Sequence, residues 1–245
     1  MSTAVLIDGA YFIKRFRRIE PHNSYNGRRA AEFAFRCALA HLVEVSGKAE
    51  NGAAKAPKKK HDLYRIFFYD CPPLEKKMHN PISRKGIDFS KSQEAIFRLN
   101  LHDQLREKRK VALRLGHLAG DSPWAIRSQV VEELLKGKIK FEDLKETDVI
   151  PNARQKGVDM RIGIDISSLS IKKQVDQIIL IAGDADFVPA AKLARREGVD
   201  FILDPMWQAI PSGLNEHIDG LRSTCPRPKL KANASAALSI VSGIK

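Results

Sequence analysis

The chain has 245 residues, of which 43% are hydrophobic, enough for one large domain with a buried core. Its 42 Lys and Arg against 29 Asp and Glu leave a formal net charge of +13, which favours polyanionic partners, nucleic acid above all. Three scattered cysteines, Cys37, Cys71 and Cys225, exclude a disulfide framework or a CxxC zinc knuckle, and no apolar run reaches the length of a membrane span.

In chain order, short β-rich runs alternate with amphipathic segments, the pattern of a parallel sheet with crossover helices. Residues 3–8 (TAVLID) form the first expected strand. Residues 29–46 follow as a helix, with Ala31, Phe35, Ala38, Leu42 and Val45 on one stripe. Residues 63–69 (LYRIFFY) make the second strand, 92–110 a helix with a basic end, and 111–118 (VALRLGHL) the third strand. Ser122 is expected to cap a helix starting near Pro123 that carries Ile126, Val130 and Leu134, and 138–153 to hold a short hairpin. Residues 158–171 read as a helix, 177–183 (QIILIAG) as the fourth strand, 187–198 as a helix and 200–203 as the fifth strand. A short helix over 213–222 closes the series.

Two stretches stand apart by composition. Residues 47–61 (GKAENGAAKAPKKKH) read as a flexible basic insertion, and the segment from Pro226 to 245 as a C-terminal tail outside a 1–225 domain. Asp8 inside the first apolar run, with no basic leader before it, argues against a signal peptide. With the odd cysteine count, the expected compartment is the cytoplasm, and no membrane partner is expected.

The chemistry sits in carboxylates at strand ends. Asp8 ends the first strand, and Asp184 and Asp186 follow the fourth. In a doubly wound sheet of order 3-2-1-4-5, strands one and four are neighbours where the order reverses, and the crevice beyond their carboxyl ends is the general ligand site. Asp8 and Asp184 then lie close, and Asp159, opening the helix after Gly157, lies over the same crevice. Such like charges raise one another's pKa, and a divalent cation removes the conflict. Oxygen ligands without His or Cys suit Mg²⁺ or Mn²⁺, and the seven histidines have no metal-ligand spacing. On a basic protein this combination points to phosphodiester hydrolysis.

Each acid also has a plainer explanation. Asp184, Asp186 and Asp159 suit helix N-caps, Asp186 best of the three, whereas Asp8 has no evident structural task. Asp165 lies about 240° around the helix from Asp159 and belongs to another face. Tyr11, Lys14 and Arg15 follow Asp8, an aromatic beside basic residues that suits a single RNA strand, and Lys156 adjoins Asp159 as a phosphate-binding candidate.

The motifs LIDGAYF (6–12), KGVDMRIGIDI (156–166) and IAGDADFVPAAKLARREGVDF (181–201) together resemble the NYN domain family in its bacterial uncharacterised branch, with YDCPP (69–73) and NPISRKGIDFSKS (80–92) in support. That resemblance implies a PIN-like three-layer α/β sandwich around a mostly parallel five-stranded sheet. It also implies a metal-dependent endoribonuclease using Asp8, Asp159, Asp184 and Asp186, with Asp165 as a second-tier acid. Many relatives carry Asn where this chain has Tyr11. That departure keeps an RNA-binding or partner-binding module without turnover as the alternative, and homo-oligomerisation stays open. A haloacid-dehalogenase-type phosphatase is disfavoured because Ala10 stands where its second Asp is needed. A dinucleotide-binding module lacks its GxGxxG.

Overall fold

The computed structural model describes residues 1–43, 60–119 and 123–228. Most of the 47–61 insertion, the expected cap Ser122, and the tail beyond 228 lie outside the described residues.

The chain opens with β1 (Ser2–Asp8), α1 (Gly9–Ile19), α2 (Gly27–His41) and β2 (Asp62–Asp70). A small hairpin, β3 (Lys77–His79) with β4 (Gly86–Asp88), precedes α3 (Gln93–Arg106) and β5 (Val111–Leu115). Next come β6 (His117–Ala119), β7 (Trp124–Ile126), α4 (Ser128–Leu135), β8 (Val149–Pro151) and β9 (Arg154–Lys156). The last third holds α5 (Val158–Ile171), β10 (Gln177–Ile181), α6 (Val188–Arg196), β11 (Asp200–Asp204), α7 (Ser212–Asn215) and β12 (Gly220–Leu221).

One sheet organises the fold, in the order β12-β11-β10-β1-β2-β5, with every pairing parallel. The five expected strands keep their expected order, but the sheet has six strands, not five. The extra one comes from the stretch expected as a helix over 213–222, where only Ser212–Asn215 is helical. Gly220 pairs with Ile202, and a Cβ at 220 would collide with the Ile202 side chain. Asp219 accepts the Phe201 N–H at 2.9 Å and fixes the approach.

Side chains alternate along each strand, as the two-residue period of a strand requires. Ala4, Leu6, Phe67, Tyr69 and Leu180 face α5 and α6, packing on Ile162, Ile166, Leu169 and Ala191. Val5, Ile7, Ile66, Phe68 and Ile179 face α1, α2 and α3, packing on Phe12, Phe16, Ala30, Phe33, Phe97 and Leu101. Helices thus cover both faces and the sheet is the middle of three layers. All three cysteines are free and buried. Among the described residues no helix is long and apolar enough to cross a membrane.

Three further expectations change. The third strand stops at Leu115, because Gly116 lies against the Lys156 carbonyl at a spacing that excludes a Cβ. The helix expected from Pro123 begins only at Ser128, so Ile126 is not on it. Residues 124–126 instead pair antiparallel with 149–151, and 117–119 with 154–156. The hairpin expected within 138–153 is therefore one side of a longer ribbon, its interior taken by 3-10 turns at Phe141–Asp143 and Glu146–Asp148. Runs of three residues do not distinguish strand from helix by period, and distant pairing decided these.

The ends of the 44–59 stretch meet. Val43 and Lys60 form an antiparallel bridge, and the His61 N–H donates to the Leu42 carbonyl at 2.8 Å. Lys60 and the buried His61, assigned to the insertion by composition, therefore belong to the fold.

Gly9, the first residue of α1, is tightly confined. A Cβ there would overlap the Tyr69 carbonyl and the Phe68 ring. Gly9→Ala is expected to destabilise the protein by about 1–3 kcal/mol, the usual range for overpacking, read from urea unfolding of both forms. An unchanged midpoint would show that α1 is free to shift from β2.

Candidate metal centre at the carboxyl ends of the strands

From β1, the chain crosses to β2 on one side and is flanked by β10 on the other, so the order reverses between β1 and β10. Crevices at such reversals, above the carboxyl ends, are where open α/β sheets bind ligands. Ile7 pairs with Ile181, so Asp8 and the 182–186 turn rise side by side at that edge.

Four neighbouring strands deliver an acid there. Asp70 ends β2, Asp8 ends β1, Asp184 follows β10, and Asp204 ends β11. The two outer acids have side-chain partners close by. Fully buried Asp70 is bridged by the Arg98 guanidinium and has His102 Nε2 at 2.8 Å. Fully buried Asp204 has His41 Nε2 at 2.8 Å and accepts the Met206 N–H at 2.7 Å. The inner acids differ. Among the described residues, none of Asp8, Asp159, Asp184 and Asp186 has an ion-pair partner.

Asp8 is 9% exposed and accepts the Tyr11 N–H at 3.1 Å, so it caps α1. It has a structural task after all, which the sequence reading missed because it assigned no helix to 9–19. Burial pushes its pKa up to about 6, the backbone N–H of Tyr11 works against that rise, and the charges of Asp159 and Asp70 add to it. Asp159, in the first turn of α5, is also raised, by partial burial first and then by Asp184 and Asp186. Asp159 is thus the common neighbour: it feels the late pair, and Asp8 feels it. Asp184 accepts the Asp186 N–H at 3.2 Å and caps the 3-10 turn Ala185–Phe187, reversing the expected order of cap preference between those two.

Among the described residues no three His, Cys, Asp or Glu side chains are drawn together into a ready metal shell. The donor chemistry still fits a hard cation: carboxylate oxygens only, like-charged, with no neutralising side chain. Asp8, Asp159 and Asp184 are the residues that would hold it, with Asp186 beside them.

The other predicted residues divide. Asp165 accepts the Tyr69 hydroxyl at 2.8 Å and faces Arg114 Nε at 3.4 Å, so it ties α5 to the sheet. Arg15 is a correction. It is 5% exposed, and its guanidinium donates to the Met206 carbonyl (3.1 Å from Nε) and to Gln208 Oε1 (2.8 Å), so it braces the turn after β11 instead of facing a ligand. Tyr11 donates its hydroxyl to the Pro205 carbonyl at 2.6 Å, and its ring lies so close to Gly183 that no Cβ fits there. Lys14 and Lys156 are exposed. Sequence reasoning missed Asp70 and Asp204. Their signal was present, since LYRIFFYD and DFILD both end an apolar run in Asp, as TAVLID does.

Residues 2–209 match the family model described as NYN domain. The chain belongs to the NYN domain family. NYN domains have a nuclease-like fold and generally act on RNA, and NYN and PIN-like nucleases typically use divalent metals. The curated proteins include no match. Among solved structures, a protein of unknown function from Vibrio parahaemolyticus is 13% identical, with a TM-score of 0.44 over 94% of this chain and 96% of its own. A Sir2 complex with p53 peptide and NAD⁺ is 11% identical, with a TM-score of 0.28 over 89% of this chain and 86% of that one. Neither likeness bears on the chemistry of this NYN domain.

The raised Asp8 pKa makes stability depend on pH. The group is near 3.8 when free and about 6 when folded, so the folded state binds the extra proton between those values. Below about pH 4 the burial of Asp8 costs nothing; the cost grows through the window and above pH 6 reaches about 3 kcal/mol. Asp8→Asn keeps a capping oxygen and removes the charge. In metal-free buffer it is expected to melt above the wild type at pH 7.5, with the gap closing at pH 4. A gap independent of pH would refute the burial argument.

Proposed function

We propose that this NYN domain hydrolyses phosphodiester bonds within single-stranded RNA, with Mg²⁺ or Mn²⁺ held by Asp8, Asp159, Asp184 and Asp186. The observation that carries this reading is the contrast along the sheet edge. Asp70 and Asp204 have ion-pair partners in the protein, and among the described residues the four acids between them have none. Acids of like charge without ion-pair partners around a ligand crevice, on a chain of net charge +13, suit a cation that recruits a polyanion.

When bound, the metal supplies an activated water and stabilises charge on the leaving oxygen. The chain's own residues do the rest. Asp8 is held rigidly by β1 and by its cap on α1. Asp184 is held by the turn it caps, and Asp159 enters from the α5 N-terminus. Lys14 on α1 and Lys156 on β9, both exposed, are the candidates for phosphate contact. Tyr11 offers part of its ring, but its hydroxyl is engaged with Pro205.

One observation favours the second reading, a binding module without turnover. The Tyr11 ring covers Gly183 beside Asp184.

Purified protein with Mn²⁺ and an end-labelled single-stranded RNA separates the two. Internal cleavage is expected, falling by at least roughly 100-fold in Asp184→Asn, since even groups behind the ligands of a metal site are worth 10–100-fold. Mn²⁺ is also expected to raise the melting temperature of the wild type more than that of Asp184→Asn. RNA binding without cleavage under Mg²⁺ and Mn²⁺ alike would establish the second reading.

A further inference from the structure

A second cavity lies apart from the carboxylates, between the α1–α2 connection and the first half of α3. It has a volume of about 520 Å³, within the range of small-molecule sites, and its walls include Asn23, Tyr25, Asn26, Gln93, Ile96 and Asn100. The chemistry of those walls is specific. Tyr25 is 46% exposed and Ile96 59%, so both present apolar surface to the cavity. Around them stand amides. Among the described residues, Gln93 and Asn100 make no side-chain hydrogen bond, and Asn26 uses only its oxygen, which accepts the Arg29 N–H at 2.9 Å.

The aromatic wall is held in place. Tyr25 meets Phe97 edge-on, with ring centroids 6.1 Å apart at 85°. The Arg17 guanidinium lies over both rings, 4.7 Å from the Tyr25 centroid and 4.9 Å from that of Phe97. Arg17 also donates to Glu94 at 2.6 Å, so its charge is answered within the protein. Gly27 lets α2 approach α3 directly, since a Cβ there would strike the Leu101 N–H and Asn100 Oδ1.

These features select the ligand. No unpaired Lys or Arg lines the cavity, so it is not built for a phosphate. An aromatic face, an exposed aliphatic side chain and unused amides, each both donor and acceptor, suit a planar uncharged heterocycle with a hydrogen-bonding edge. Amide side chains pair bidentately with adenine. A chain of ion pairs also runs from cavity to crevice: Arg17 to Glu94, Glu94 to Arg98 at 2.8 Å, and Arg98 to Asp70, whose charge acts on Asp8.

We propose that the cavity between the α1–α2 connection and α3 holds an unpaired nucleobase, adenine in preference, of an RNA strand whose backbone passes the carboxylate crevice. The strand assignment rests on the RNA reading above; the base-binding chemistry does not.

The test uses the full ¹⁵N-labelled chain in EDTA, so cleavage plays no part. Adenosine monophosphate is expected to shift amide signals of residues 22–27 and 93–100, and ribose 5-phosphate to leave them in place. Gln93→Ala with Asn100→Ala, both exposed positions, is expected to weaken that response about fivefold or more while the remaining spectrum is unchanged. A single-stranded hexaadenylate is expected to shift the same residues together with Lys14 and Lys156. Equal shifts from ribose 5-phosphate, or none from the nucleotide, would overturn the base site. A response to the mononucleotide with no cavity shifts from the hexanucleotide would overturn its assignment to a strand. If the cavity binds the base yet no metal supports cleavage, only the nuclease reading fails.

Discussion

Parallel strands that end on one edge bring their terminal residues together, and here four adjacent strands bring carboxylates. Left alone, that edge would repel itself and resist burial. The protein resolves the conflict at both flanks and leaves it unresolved in the middle. Asp70 takes Arg98 and His102, and Asp204 takes His41, while among the described residues Asp8, Asp159, Asp184 and Asp186 have no ion-pair partner. The energetic burden of holding Asp8 ionised at neutral pH, about 3 kcal/mol, is a sizeable share of a typical domain's net stability. Sites for ligands are where such unrelieved burdens concentrate.

The scaffold around this edge is arranged so that the acids cannot drift apart. β1 is covered on both faces, and its side chains alternate between the two cores. Tyr11 and Arg15, both from α1, reach the turn after β11 through Pro205, Met206 and Gln208. They clamp the loops beyond β1, β10 and β11 against one another. Asp165 does a similar job for α5 by gripping Tyr69 and Arg114. Tyr11 and Arg15, singled out in the sequence as ligand contacts, brace the loops around this edge.

How much of this was legible beforehand depended on the length of the signal. The five long strands and the helix at 158–171 were readable because their periods extend over several residues. Their order was that of a doubly wound sheet. The ribbon of 117–126 with 149–156 was not readable, because three-residue strands acquire their identity only from a distant partner. The same limit hid β12. Among site residues, the acids were visible as charges that interrupt apolar runs, but their partners were not. Whether an aspartate is neutralised depends on Arg98, His102 or His41, residues 28 to 163 positions away in the chain. Arg15 was misjudged for the same reason, since its neighbour in sequence is Asp8 and its neighbour in space is Met206.

The bridge between Val43 and Lys60 has a consequence for the chain's plasticity. Because the two anchor residues are already joined, the loop-closure part of the folding free energy rises only slowly with the number of residues between them. Doubling that number would cost roughly 0.6 kcal/mol. The junction is therefore a natural graft point, where a reporter peptide or a whole folded module can be spliced in just before β2, at the opposite end of that strand from Asp70.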